Sequence, residues 1–181
     1  MKTVAVLLAP GFEEVEAITP IDFLRRAGIR VIIVGVEASH IVGSRGVSLH
    51  ADVLLDELPD GVDGLVLPGG MPGATNLSLN DKVLDIIEKY WKENKLVAAI
   101  CAAPAVVLNK VGLLEGRQFT CYPGFEEGLE GDFSQDSVVV DNNLITSRGP
   151  GTAAAFSEKI IEYLLHVDKA DNVHQTTLQM W

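Results

Sequence analysis

Short apolar, β-branched runs alternate with longer segments of helical periodicity along this chain. Val4 to Leu8, Val31 to Val36, Gly64 to Leu67 and Leu96 to Ile100 predict buried strands, because strands covered on both faces read as unbroken apolar runs. Helices fill the gaps. Glu14 to Ala27 is amphipathic and stops at Gly28, Asp81 to Glu93 sets Val83, Ile86, Ile87 and Tyr90 on one face, and Ala102 to Val111 precedes Gly112. Thr152 to Leu165 predicts a closing helix. Alternation of this kind implies an α/β fold, a mainly parallel sheet with helices on both faces, and ligands at the carboxyl ends of its strands.

Two stretches depart from the alternation. Between Val36 and Leu55 the runs shorten around Gly43 and Gly46, which predicts a small antiparallel excursion. Ser137 to Val140 and Leu144 to Thr146 flank the turn Asp141-Asn142-Asn143 and predict a second strand pair. The tail, 167–181, lacks clear periodicity. No linker divides the 181 residues, so residues 1–181 read as one domain carrying that tail.

A net charge of −11 repels phosphate backbones and anionic membranes, which disfavours nucleic-acid and membrane partners. The apolar run at the amino terminus is too short to span a bilayer and reads as a first strand. Cys101 and Cys121 allow at most one bridge, and a chain with 48% hydrophobic residues does not need it; a reducing cytoplasmic location is expected. After the first strand stands Pro10-Gly11-Phe12-Glu13-Glu14, with carboxylates where a dinucleotide pyrophosphate would sit. There is no Walker loop and no zinc-spaced cysteine pair. His40, His50, His166 and His174 are scattered and read as surface side chains, so neither cofactor nor metal is expected.

Ala99-Ile100-Cys101-Ala102-Ala103 joins a strand to a helix, with small residues two places either side of the cysteine. This is the nucleophile-elbow pattern with Ala in place of Gly, and a helix amino terminus there would favour the thiolate of Cys101. The pentapeptide equally describes an inert cysteine buried among small residues. Leu67-Pro68-Gly69-Gly70 ends the preceding strand; it is either a tight turn or, through the amides of Gly70 and Ala102, an oxyanion hole. Glu13 and Glu14 read as partners of the helix dipole. Glu16, if it faces sulfur, would be held neutral and could shuttle a proton.

In combination, Gly11-Phe12-Glu13-Glu14-Val15-Glu16, Pro20, Arg25-Arg26-Ala27-Gly28, Leu67-Pro68-Gly69-Gly70, Ala98 to Pro104 and Thr146 to Thr152 resemble the ThiJ/PfpI superfamily, in its parkinsonism-associated deglycase branch. The resemblance implies a flavodoxin-like homodimer in which Cys101 is reactive, Glu16 is its protonated partner, and Gly70 and Ala102 are its backbone donors. Arg45 resembles an arginine that reaches the site across the dimer, and Arg148 lies in the matching Ser-Arg-Gly-Pro-Gly loop; each reads as an anion ligand or as a solvated or loop-capping side chain. Two departures bear on chemistry. Ala102 stands where protease-like relatives carry histidine, which disfavours proteolysis. Tyr122 stands where the human branch member has histidine, leaving acid-base work to Glu16 or water, with Tyr122 as a hydrogen-bond donor.

The leading expectation is therefore a cofactor-independent glyoxalase III-type enzyme or protein deglycase, acting on methylglyoxal, glyoxal or their early adducts. From another class comes a redox sensor or redox-regulated chaperone in which Cys101 is oxidised. A small-ligand binding module is weakened by the acidic turn after the first strand.

Overall fold

A computed structural model describes residues 1–180. The central sheet is built from β1 (Thr3–Leu8), β2 (Arg30–Gly35), β5 (Val53–Leu54), β6 (Gly64–Leu67), β7 (Leu96–Ile100), β10 (Val138–Asp141) and β11 (Leu144–Ser147). Its order is β10-β11-β7-β6-β1-β2-β5, and only β10 runs antiparallel to its neighbour. The run β2-β1-β6-β7-β11 has the flavodoxin-like order, with the first-formed strand inside the sheet.

The strands form where expected because they lie between two helical layers. Every residue of β6 and β7 is buried, and Val4 to Leu8 of β1 are wholly so. Each such Leu, Ile or Val contributes roughly 1.5–3 kcal/mol by leaving water. Helices α1 (Glu14–Arg26), α4 (Ala153–Leu164) and α5 (Val167–Thr176) pack on one another. Helices α2 (Gly73–Ser78) and α3 (Asp81–Lys92) form a separate group with a π-helical turn, Pro104–Leu108. The two groups cover the two faces. Asn80 caps α3, its side chain accepting from the amides of Lys82 and Val83 at 3.1 and 3.3 Å.

Both predicted excursions are present. Strands β3 (His40–Val42) and β4 (Ser48–His50) make an antiparallel hairpin, and β10 pairs antiparallel with β11 through the turn at Asn142. Three features differ from the sequence reading. The segment after Cys101 is not an α-helix but the π-helical turn followed by a 3₁₀ turn, Asn109–Val111. The tail is ordered over α5, which buries only Ala170 and Val173 against the core; residue 181 lies outside the described residues. A two-residue parallel pair, β8 (Gln118–Phe119) with β9 (Asp132–Phe133), occupies a stretch with no readable pattern.

The register aligns the strand ends. Leu67 lies beside Ala99, and Ile100 beside Ser147, so β6, β7 and β11 release their loops at one edge of the sheet. The loop after β1 leaves at the same edge.

Candidate functional site

Cys101 directly follows the last residue of β7, and its φ of +66° places it in the left-handed region. For a side chain other than glycine that conformation costs of order 1–3 kcal/mol and persists only where the surroundings hold it. They do. The Cys101 amide donates to the Ser147 carbonyl at 2.9 Å, and its carbonyl accepts from the Tyr122 amide at 2.8 Å. The elbow is thus fixed between β11 and the Thr120-to-Pro123 segment. Ala99 and Ala103 on either side are fully buried.

Glycine is required opposite the elbow for closeness. A Cβ on Gly69 would stand 2.7 Å from Cys101 Cβ and 2.8 Å from Glu16 Oε2. Gly70 adopts a φ of +87°, and its amide, with that of Ala102, acts on the cysteine sulfur as a hydrogen-bond donor. The sequence-predicted donor pair and the thiol are therefore brought together.

Glu16 lies in the first turn of α1 and has no solvent exposure. Its Oε2 accepts from the Gly69 amide at 2.9 Å, while Oε1 completes no hydrogen bond, though the carboxyl and the thiol stand close enough for each to alter the other's proton affinity. Burial, aided by the Glu13 charge, pushes the carboxyl up to about 7, against the stabilising influence of the nearby Cys101 thiol and the Gly69 amide. A neutral Glu16 is thus accessible near neutral pH, as expected from the sequence.

The thiol differs from its expectation. Burial, then the Glu16 charge and hydrogen bond, push Cys101 up to about 12, and only the amides of Gly70 and Ala102 act downward. The physical reason is twofold: burial disfavours the charged thiolate, and the partner carboxyl, when charged, repels it. The thiolate gains its partner only when the proton resides on Glu16.

Cys101, Gly70 and Ala102 open with Arg45 and Tyr122 onto a cavity of about 310 Å³. The sequence reading missed others on its wall: Glu13, Ser44, Met71, Phe125 and Pro150. Tyr122 is 45% exposed and meets Phe125 edge to face at 6.2 Å. Arg148 is not on that wall; its guanidinium lies 5.9 Å from the Phe133 ring and its charge acts on Cys121. Among the described residues no histidine lines the cavity.

The turn carrying Arg45 is held from α1. Glu14 is buried and accepts from the Arg45 amide at 2.7 Å, the Val47 amide at 3.2 Å and Ser44 Oγ at 3.2 Å. Burial opposes its charge, but these hydrogen bonds and that of its own amide hold the carboxyl below its ordinary value. Glu14 is thus the clamp of the β3–β4 turn rather than a simple partner of the dipole. Its ligands stand some thirty residues away, so only a motif could have pointed to it.

A flavodoxin-like sheet that presents a strained cysteine at the end of a central strand, beside a buried glutamate and a Gly-Gly turn, defines a class of cysteine-elbow α/β proteins. Residues 2–163 match the DJ-1/PfpI family, and the chain belongs to it. It is 42% identical over 177 residues to protein dj-1beta of Drosophila melanogaster, covering 95% of this chain and 94% of that one. A crystal structure of the Drosophila protein superposes with a TM-score of 0.95 at 40% identity and 99% coverage of both chains. Oxidized DJ-1 of Toxoplasma gondii superposes with a TM-score of 0.96 at 36% identity, each chain wholly covered. DJ-1 homolog A of Arabidopsis thaliana is 40% identical over 98% of this chain, which spans only 46% of that longer relative. A protein named as a deglycase in Pyrococcus abyssi is 35% identical, with 89% and 98% of the two chains covered.

Proposed function

We propose that this protein is a cofactor-independent enzyme in which Cys101 attacks small reactive 2-oxoaldehydes, methylglyoxal and glyoxal among them, or their early adducts on proteins. The observation that carries the reading is the junction of the Cys101 elbow, the Gly70 and Ala102 amides and the buried Glu16 at a cavity sized for a small ligand. The deglycase name of a relative supports the same substrate class.

The chemistry balances without a cofactor. Sulfur adds to the aldehyde carbon, and the carbonyl oxygen takes the Glu16 proton, giving a hemithioacetal whose oxygen faces the two amides. The Glu16 carboxylate removes the proton from that carbon and returns it to the adjacent carbonyl carbon, while the hydroxyl proton passes to the adjacent oxygen, leaving a thioester of the 2-hydroxy acid. Water cleaves the thioester, returns a proton to sulfur and releases lactate from methylglyoxal or glycolate from glyoxal. On an early adduct, a hemiaminal or hemithioacetal at that carbon, the Cys101 sulfur instead replaces the amine or thiol, whose bond to carbon breaks as it takes the Glu16 proton, and the same enzyme hemithioacetal results.

The test is lactate and glycolate formation by purified protein, against buffer alone and Cys101→Ala. Product above both controls is expected. Equal rates with Cys101→Ala would overturn the reading.

A second reading, oxidative sensing or redox-regulated chaperone action through Cys101, has its own support. Among the described residues no imidazole base lines the cavity, and the Gly70 and Ala102 amides that would serve an oxyanion, joined by a protonated Glu16, also fit sulfinate oxygens. The family resemblance also suggests a homodimer. Val15 and Ile18 of α1 and Val42 and Val47 of the hairpin are 40–47% exposed around the Glu14 clamp, and an isologous contact would cover them beside Arg45. Among the described residues no helix is long and apolar enough to cross a membrane. Both cysteines are free, which supports a cytoplasmic location.

A further inference from the structure

Histidines 40 and 50 stand directly opposite each other on β3 and β4, and both are exposed. Their position in the ladder follows from its hydrogen bonds. The Ala51 amide donates to the Ser39 carbonyl at 2.7 Å and the Gly43 amide to the Val47 carbonyl at 2.9 Å. Bonded and non-bonded pairs alternate in an antiparallel ladder, so His40 and His50 fall on a non-bonded pair, where opposite side chains approach most closely. Their ring centroids are 5.1 Å apart, with planes inclined by 52°.

We propose that this pair is a two-imidazole chelate for a divalent transition-metal ion. Zinc–imidazole bonds of about 2.0–2.1 Å put each ring centroid about 3.2 Å from the ion, and at the tetrahedral angle two such rings stand about 5.2 Å apart. The observed spacing of 5.1 Å is compatible with that value. Imidazole suits Zn²⁺, Ni²⁺ and Cu²⁺ and not the hard ions Mg²⁺ and Ca²⁺, and the chain's net charge of −11 favours cations in general. No group of three or more metal-ligating side chains stands together among the described residues, so water completes the coordination and the site exchanges its ion readily. The site is distinct from Cys101. It does share an element with the cavity: the turn between the bridged strands carries Ser44 and Arg45 to its wall.

A simple cross-strand ring pair would have the same spacing and no response to metal, which the experiment separates. Calorimetric titration of the untagged, full-length protein with Ni²⁺ in a non-chelating buffer is expected to show one ion bound per chain. His40→Ala and His50→Ala should each weaken binding by about tenfold or more, because each leaves one imidazole and no chelate. The exposed His166 serves as control, and His166→Ala should match the parent. In parallel, nitrogen-detected NMR of the unaltered protein with Zn²⁺ should shift the ring resonances of His40 and His50 together. Undiminished Ni²⁺ affinity in either single variant, no binding by the parent, or Zn²⁺ shifts confined to other residues would overturn the proposal.

Discussion

The buried carboxyl of Glu16 and the thiol of Cys101 face each other across Gly69, and their titrations are coupled. The first proton leaves the pair near 7 and the second near 12, so over the intervening range the two groups share one proton. Two arrangements compete there, carboxylate with thiol and acid with thiolate. They contain the same number of protons, so their ratio does not change with pH. Reactivity of the sulfur over that range is set by how well the Gly70 and Ala102 amides hold the thiolate, rather than by alkalinity.

Replacing Glu16 with Gln removes the charge and the proton acceptor that hold the thiol up, leaving burial against the two amides. The thiol of Glu16→Gln should therefore ionise at lower pH than in the parent, while turnover of methylglyoxal falls by about 10²-fold or more for want of a proton shuttle. Iodoacetamide alkylation followed across pH at the Cys101 peptide, beside lactate formation, checks both. An unchanged or higher thiol midpoint would show that Glu16 does not act on the sulfur.

The same carboxyl gives stability a pH slope of known sign. An unfolded Glu16 ionises near 4.5 and the folded one near 7, so between these values the folded state binds the extra proton and stability falls as pH rises. At 1.36 kcal/mol per unit, the fall is roughly 3 kcal/mol, complete above the folded value and absent below the unfolded one. Glu16→Gln should lack this component. Urea unfolding of the two proteins at intervals from pH 4 to 8 should give stability differences that widen in favour of the variant, and parallel curves would refute the assignment.

These relationships were unequally legible in the sequence. Gly64–Leu67 and Leu96–Ile100 were readable to the residue, because strands covered on both faces have no reason to alternate. Helix α5 was not, because it buries only Ala170 and Val173, too few to impose a period on ten residues. Cys101, Glu16, Gly70 and Ala102 could be nominated from their places at strand ends, and the fold brings them together. The direction of the thiol shift could not, since it depends on burial in the folded chain and on a carboxyl 85 positions away. Arg148 was legible only through its loop; that its guanidinium lies near the Phe133 ring rather than on the cavity wall was not.

Gly69→Ala tests the closeness of approach without testing backbone conformation, since Gly69 is not in the left-handed region. Its Cβ would meet Cys101 Cβ at 2.7 Å and the Ile100 carbonyl at 2.9 Å, neither of which is a flexible side-chain end. A loss of about 1–3 kcal/mol is expected from overpacking, with the denaturant m-value unchanged. A loss below about 0.5 kcal/mol would mean that the Glu16–Cys101 pair can spread apart.

Arg45 supplies a cation on the cavity wall, and its backbone rather than its side chain bonds Glu14. Arg45→Ala should accordingly keep the turn and the urea midpoint, yet slow Cys101 modification by the anionic reagent iodoacetate more than by neutral iodoacetamide. Equal effects on the two reagents would return Arg45 to a solvated role. Glu14→Ala should instead cost about 1–2 kcal/mol, because part-buried amides of Arg45 and Val47 lose their acceptor.

Peroxide should separate the two cysteines by access and by the company each keeps. Both thiols are raised by burial, Cys121 to about 11, so proton affinity alone does not favour Cys101 as a bare helix-terminus argument would have it. Access does: Cys101 lines the cavity, whereas Cys121 has no exposure at all. One peroxide converts the Cys101 thiolate to sulfenate with loss of water, and a second gives the sulfinate. The Gly70 and Ala102 amides already act on that sulfur, and a protonated Glu16 can donate to one of the new oxygens in a charge-assisted bond. The sulfinate should therefore accumulate at Cys101 and resist the step to sulfonate. Shortening the acid in Glu16→Asp withdraws the third donor while leaving both amides in place, so that variant should pass to sulfonate at lower peroxide. Peptide mass spectrometry across a peroxide titration reads both proteins. Earlier oxidation of Cys121 or a Cys101–Cys121 disulfide as the main product would overturn the preference for Cys101, and equal persistence of the sulfinate in Glu16→Asp would remove Glu16 from its stabilisation.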